Sequence, residues 1–176
     1  ILQLSNRAHN IDPKTFNILK DIQHAALIDY SLVTHKCNWK IIVENVLESY
    51  HLSHVHQKTF ARDGFRTSSK VDYFYNHLSS GNTIYNNKNK SSFYEHHFLF
   101  PNAFCSNTNN QIFFYSFLSP ISQNETHVYY FLFINKANAL KLSPKRLEIV
   151  KNASSEFTKN AILEDKNQIE QIQNNI

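Results

Sequence analysis

The chain has no methionine, two glycines, two cysteines and one tryptophan in its 176 residues. Each scarcity removes a class of protein. Cys37 and Cys105 are far apart, with neither C-x-x-C spacing nor the density of a disulfide scaffold, so they read as reduced, buried thiols of a cytoplasmic protein. No window approaches the roughly 18 apolar residues of a membrane span, and no signal peptide opens the chain. Net charge is +4 and the sequence pI is about 9.0, but the Lys and Arg residues are scattered. A nucleic-acid surface needs them clustered, so that partner is excluded. What is abundant is aromatic: 14 Phe and 9 Tyr in a chain that is 41% hydrophobic. That suffices for one domain, residues 1–176, with a substantial core.

Residues Asn38 to Gln57 organise the rest. Trp39, Ile42, Val43, Val46, Leu47 and Tyr50 recur at the spacing of one apolar helical face, which predicts a helix held against the core. Its C-terminal end carries Glu48, His51, His54 and His56. Glu48 lies one turn before His51 on the same face. On a continuous helix, at roughly 100° per residue, His51 and His56 would diverge by about 140°. Two ligands to one ion would not converge there, so the helix is expected to end or distort just after His51, with His56 returning from the loop. Two imidazoles and a carboxylate from elsewhere in the chain leave about three of six octahedral positions open, an arrangement suited to non-haem Fe(II). The last helix offers Asp165.

Asn38-Trp39-Lys40, Glu44-Asn45, Glu48, Tyr50-His51 and Val55-His56, in this order and at these gaps, resemble the catalytic-domain signature of Rieske non-haem iron oxygenase alpha subunits. The resemblance implies that His51 and His56 are iron ligands. It also implies that Glu48 links the iron site to a Rieske cluster on a neighbouring subunit. Asn45 and Tyr50 would support the ligands by packing and hydrogen bonding, and His54 would belong to the pocket or to the support behind the ligands. Further on, Phe100-Pro101-Asn102 and Pro120 fall where the family places an FPN tripeptide and a proline. Glu164-Asp165 followed by Glu170 and Gln173 resembles its closing helix, where Asp165 matches the carboxylate ligand. The likeness covers Asn38 to Gln173. A Rieske cluster needs paired Cys and His motifs, and the chain has no Cys-x-His or Cys-x-x-His. With Ile1 first and no Met, this predicts a fragment lacking the upstream [2Fe–2S] domain, its C-terminal edge clipped or atypical.

Taken in order, residues 1–13 read as a polar lead-in, Pro13–Ala26 as a helix and Leu27–Lys36 as a strand. His9, His24 and His35 read as surface or satisfied residues. Gln57–Arg66 reads as a loop broken by Gly64. Val71–Tyr75 and Thr83–Tyr85 read as strands around a turn at Ser79–Asn82. Asn86–Ser92 is a polar, mobile loop whose position in the family allows a lid role. Three β-runs, YEHHFLFP, QIFFYSFLSP and THVYYFLFI, form a meander, and of the adjacent His96 and His97 at most one faces a pocket. From Pro144 a helical region runs to the end, with a break near Asn152–Ser155.

Strand, helix, meander and closing helix describe an α+β domain with helices on one face of an antiparallel sheet. The resemblance specifies a helix grip of the START/Bet v1 type, with Fe(II) in the cavity between sheet and helices. It implies an oxygenase component acting on a small aromatic or quaternary-ammonium substrate with O2, fed by a Rieske domain and a reductase, and homotrimeric at full length. A non-catalytic helix-grip binding module would keep the pocket but need none of Glu48, His51, His56 and Asp165. A zinc hydrolase built on His54-Val55-His56 would continue x-D-H, where this chain has Lys58 and Thr59.

Overall fold

The computed structural model describes residues 12–48, 50–65, 69–76, 78–89 and 91–175. Helix α1 (Pro13–Gln23) opens on Asp12, whose carboxylate accepts from the Lys14 N–H, with proline in its first turn. Strand β1 (Ala26–His35) leads into α2 (Trp39–Leu47), capped in the same way by Asn38. A 3-10 turn (Tyr50–Ser53) and a one-turn helix α3 (Phe60–Asp63) follow. Six strands come next: β2 (Val71–Tyr75), β3 (Ser79–Tyr85), β4 (Phe93–Leu99), β5 (Ala103–Thr108), β6 (Ile112–Ser122) and β7 (Glu125–Ile134). The short α4 (Lys136–Ala139) precedes α5 (Pro144–Asn174), 31 residues long. The lead-in over residues 1–11, with His9, lies outside the described residues, as does Arg66 at the end of the expected loop.

The sheet is antiparallel throughout, in the order β1-β7-β6-β5-β4-β3-β2, so the first strand pairs with the last. Strict alternation in β7 buries Thr126, Val128, Tyr130, Leu132 and Ile134, the period-2 pattern of a strand. Helices α2 and α5 cover this side. Cys37, Ile41, Ile42, Phe104, Leu118, Val128 and Ile169 form the core between them, backed by Trp39, Val43, Val46 and Phe98. A second cluster joins Leu52, Phe65 and Ile84. This is the helix-grip layout, with a cavity between sheet and helices. Among the described residues, no helix is long and apolar enough to cross a membrane.

Several expectations are corrected. The helices do not all lie on one face, because α1 packs on the opposite side of the sheet. There Thr15 and Ile18 are buried, and Thr15 Oγ1 lies 2.8 Å from His97 Nδ1. His96 and His97 therefore do face opposite ways, and His96 is the one that lines the cavity. Ser79–Asn82 is not a turn but the start of β3. Gly81 is there for a close approach: a Cβ would sit 2.0 Å from the His96 carbonyl oxygen and 2.7 Å from Phe74 Cζ. The meander has a fourth strand, β5, whose AFCSNT sequence is too small and polar to read as one, yet is buried on both faces. Part of the expected Gln57–Arg66 loop is helical, ended by Gly64 at φ 108.

Helix α5 runs unbroken through Asn152–Ser155. Asn and Ser cost only about 0.5 kcal/mol each against Ala, too little to break a helix held to the core through Ile169. In the Asn86–Ser92 loop, Asn86 Oδ1 accepts from the Lys88 and Asn89 N–H groups, and none of its described residues lines the cavity.

Candidate metal centre

Helix α2 stops three residues sooner than its apolar spacing suggests. Glu48 is extended, at φ −88 and ψ 142, and its carboxylate accepts from the His51 N–H at 3.2 Å. The side chain thus caps the 3-10 turn as α2 ends, and the turn replaces the helical progression that would have splayed the histidines. In that turn the Val55 N–H donates to the His51 carbonyl at 2.7 Å, and His56 follows directly. The two rings end with centroids 5.1 Å apart.

Asp165, on α5, completes the group. His56 Nε2 is 3.1 Å and His51 Nε2 3.9 Å from Asp165 Oδ1, and one ligand atom from each residue lies within 4.8 Å of the others. Ligands at right angles around a first-row metal, with bonds of about 2.1 Å, stand about 3.0 Å apart, and opposed ones about 4.2 Å. The 3.1 Å pair already matches ligands at right angles, and the wider separations would close by up to about 1.8 Å for all three groups to hold one ion. Each imidazole also meets a carboxylate at its other nitrogen. His56 Nδ1 is hydrogen-bonded to Glu164 Oε2 at 3.1 Å. His51 Nδ1 lies 2.9 Å from Glu48 Oε1, close in charge terms but not aligned as a hydrogen bond. Both Nε2 atoms are thereby left to the centre, the arrangement in which a carboxylate behind a histidine fixes its ring and raises its basicity as a ligand.

Electrostatics agree with a cation site. Burial pulls the His56 pKa down, but hydrogen bonding and charge from Asp165, then from Glu164, outweigh it and raise it overall. Burial together with the neighbouring His56 lowers His51 against the pull of Asp165 and Glu48. Asp165 is itself lowered: His56 and His51, and the Asn45 amide donating to its Oδ1 at 3.0 Å, overcome the burial that would raise it. A buried carboxylate kept ionised beside two imidazoles attracts positive charge, whether a proton or a metal.

The group opens onto a cavity of about 400 Å³ between α2, α5 and the sheet. Its walls are mainly apolar, with Ile42, Phe60, Phe104, Phe114, Leu118 and Phe157 among them. A sequence model of the family described as ring hydroxylating alpha subunit (catalytic domain) matches residues 23–176. The chain belongs to this family. No functionally curated protein matches the sequence at a significant level. Among solved structures, the quaternary ammonium Rieske monooxygenase CntA in complex with L-carnitine is similar at TM-score 0.71 and 15% identity, over 98% of this chain and 46% of that one. Dicamba monooxygenase bound to dicamba gives 0.64 and 14%, over 93% and 54%. NdmB of Pseudomonas putida CBB5 gives 0.57 and 13%, over 85% and 42%. At such identities the likeness is one of fold. The chain spans less than half the length of the CntA and NdmB chains.

In this member of the family, then, Glu48, His51, His56, Asp165 and Asn45 come together. His54 does not. The 3-10 turn leaves it exposed and away from the cavity lining, which corrects the pocket role expected for it. Tyr50 opens the turn, and its side chain lies outside what is described. Glu164 was noticed in sequence only as the neighbour of Asp165. It also accepts from Thr59 Oγ1 at 2.6 Å and from the Lys58 N–H at 3.1 Å, so it anchors the whole His56 loop. Two adjacent acids about 100° apart on a helix, one for each side of a histidine, were the available signal. His35, read as surface or satisfied, is buried in the cavity wall with its Nδ1 unpaired, and burial lowers its pKa to about 4. Cys37 and Cys105 are free and buried, their thiols pushed up to about 11 and about 12 by desolvation, so neither is a reactive thiolate.

Proposed function

We propose that this domain is the catalytic part of the terminal oxygenase of a Rieske-type mono- or dioxygenase, holding one Fe(II) on His51, His56 and Asp165. The observation that carries the reading is the convergence of two imidazole Nε2 atoms and one ionised carboxylate at the edge of a largely apolar cavity. Bound there, Fe(II) supplies the redox chemistry by which O2 hydroxylates or demethylates a small organic molecule. The chain's own side chains do the rest. Glu164 and Asn45 fix the orientation of His56 and Asp165. The aromatic walls exclude water and offer ring faces to an aromatic or quaternary-ammonium substrate.

We assign Glu48, half-buried beside His51, to the connection between the site and an electron donor. We assign that donor to a Rieske [2Fe–2S] domain upstream in the full-length protein, reached across a subunit contact in a homotrimer and reduced by a reductase in the cytoplasm. A non-catalytic binding module would need the cavity but not the three ligands with carboxylates behind two of them. The test is an anaerobic Fe(II) titration against a competing chelator. One ion per chain is expected, lost in His51→Ala, His56→Ala and Asp165→Ala and retained in His54→Ala. Retention in His56→Ala together with loss in His54→Ala would overturn the ligand assignment.

A further inference from the structure

We propose that Asn82 and His96 form the polar end of the substrate site and select an uncharged compound whose polar group both donates and accepts, a hydroxyl or the N–H/C=O edge of a lactam. The proposal names the substrate class of the cavity assigned above and so rests on that reading for the occupant being a substrate; the binding itself does not need iron.

Asn82 is 2% and His96 8% exposed, both line the cavity, and neither Asn82 Oδ1 nor His96 Nε2 has a hydrogen-bond partner among the described residues. They are directly opposite one another in the β3–β4 register, so their side chains rise side by side from one face of the sheet. Buried polar atoms are otherwise paired almost without exception, because leaving one unpaired is destabilising. Two adjacent exceptions aimed into one cavity mark a place where a ligand completes the bonding.

The polarity of the pair follows from its surroundings. Asn82 Oδ1 can only accept. His96 Nδ1 is 3.0 Å from the Tyr94 hydroxyl, and Ser106 hydrogen-bonds that same hydroxyl. We assign Ser106 as the donor to Tyr94, so that the phenol proton points at His96 Nδ1 and the ring proton sits on Nε2. The cavity therefore presents an acceptor beside a donor. A lactam edge matches both at once, its N–H to Asn82 and its carbonyl to His96.

Charge disfavours an anion, and hydrogen bonding disfavours a quaternary ammonium. Among the described residues no Lys or Arg lines the cavity, whereas Glu48, Asp63 and Asp165 do. Burial keeps His96 neutral, its pKa lowered to about 3. A carboxylate placed against Asn82 would face an acceptor and find no cation. A quaternary ammonium has neither donor nor acceptor for the pair and would leave both atoms unpaired.

Calorimetric titration of the metal-free chain with four probes tests this: 2-quinolinone, quinoline, 2-naphthoate and N,N,N-trimethylanilinium. Binding of 2-quinolinone is expected to be at least about tenfold tighter than that of quinoline, which has the same rings without the lactam edge, and tighter than that of either ion. In Asn82→Val and His96→Phe the advantage over quinoline should fall to within about twofold. Should either variant fail to fold, nitrogen-15 imidazole spectra of the wild-type chain give the answer: the His96 Nε2–H resonance should shift with 2-quinolinone and not with quinoline. Equal binding of the two, preference for either ion, or an unmoved His96 resonance would overturn the proposal. Loss of Fe(II) binding with lactam selectivity intact would overturn only the oxygenase reading, and the converse result only this one.

Discussion

His97 gives a stability prediction that is independent of the metal, because it lies on the other face of the sheet. It is fully buried under α1, its Nδ1 2.8 Å from Thr15 Oγ1, its Nε2 unpaired and its ring 4.5 Å from Phe74. Burial lowers its pKa to about 4, with Lys14 lowering it further and Asp12 opposing. An unfolded chain would protonate the same residue near 6.5. Between those values the unfolded state binds the extra proton, so stability is intact above about pH 6.5 and is lost as the pH falls toward 4. One group with this separation removes roughly 2 to 3 kcal/mol between pH 7.5 and 4.5, a large share of the roughly 5–15 kcal/mol of a typical domain.

Urea unfolding followed by circular dichroism across that range isolates the effect when the wild type is compared with Thr15→Val/His97→Leu. The double change removes both polar partners together, so no hydroxyl is left unpaired. The variant should lose roughly 2 to 3 kcal/mol less than the wild type as the pH drops from 7.5 to 4.5, whatever its stability at neutral pH. Identical pH slopes for the two proteins would refute the buried, neutral state of His97.

Two further substitutions probe particular contacts. Glu164→Gln should weaken Fe(II) binding about 10- to 100-fold in a chelator competition while the chain stays folded, because it removes the carboxylate behind His56; unchanged affinity would mean Glu164 only anchors the loop. Gly81→Ala should destabilise the domain by about 2 kcal/mol or more in urea, since its Cβ meets backbone at 2.0 Å, and an unchanged midpoint would contradict the β3–β4 packing.

Local signals were legible in the sequence, and long-range ones were not. The apolar spacing of Trp39 to Tyr50 predicts α2, which ends three residues earlier at Leu47, and the alternation of THVYYFLFI predicts β7, because each pattern is the imprint of one buried face. His51, His56 and Asp165 were singled out by motif order, and the fold brings them together. Strand β5 was missed because Cys105, Ser106 and Asn107 owe their strand state to neighbours on both sides rather than to their own preference. Gly81 misled for a similar reason: the usual meaning of glycine is a turn, and nothing local announces that the His96 carbonyl will occupy the space of its Cβ. Glu164 and Asn82 carry ordinary residue types, and their partners lie far away in sequence.

The closing residues of α5 show how such distant partners set the site. Asp165 must arrive within 4 Å of two imidazoles from a different part of the chain, and no local pattern fixes that distance. Polar contacts fix it from both sides. On one side Glu164 holds His56, Lys58 and Thr59. On the other, Glu170 accepts from the Lys36 N–H and Gln173 from the Asn38 N–H, both at 2.7 Å, and the Lys166 ammonium donates to the Thr34 carbonyl. Those three grips seize the turn that feeds α2. Ile169, 1% exposed, lies between them and packs into the core. The rigid helix therefore carries its carboxylate at a spot defined by the turn before α2 and the loop after it, and the same two segments bracket the histidines. The convergence of His51, His56 and Asp165 thus follows from contacts within the fold itself.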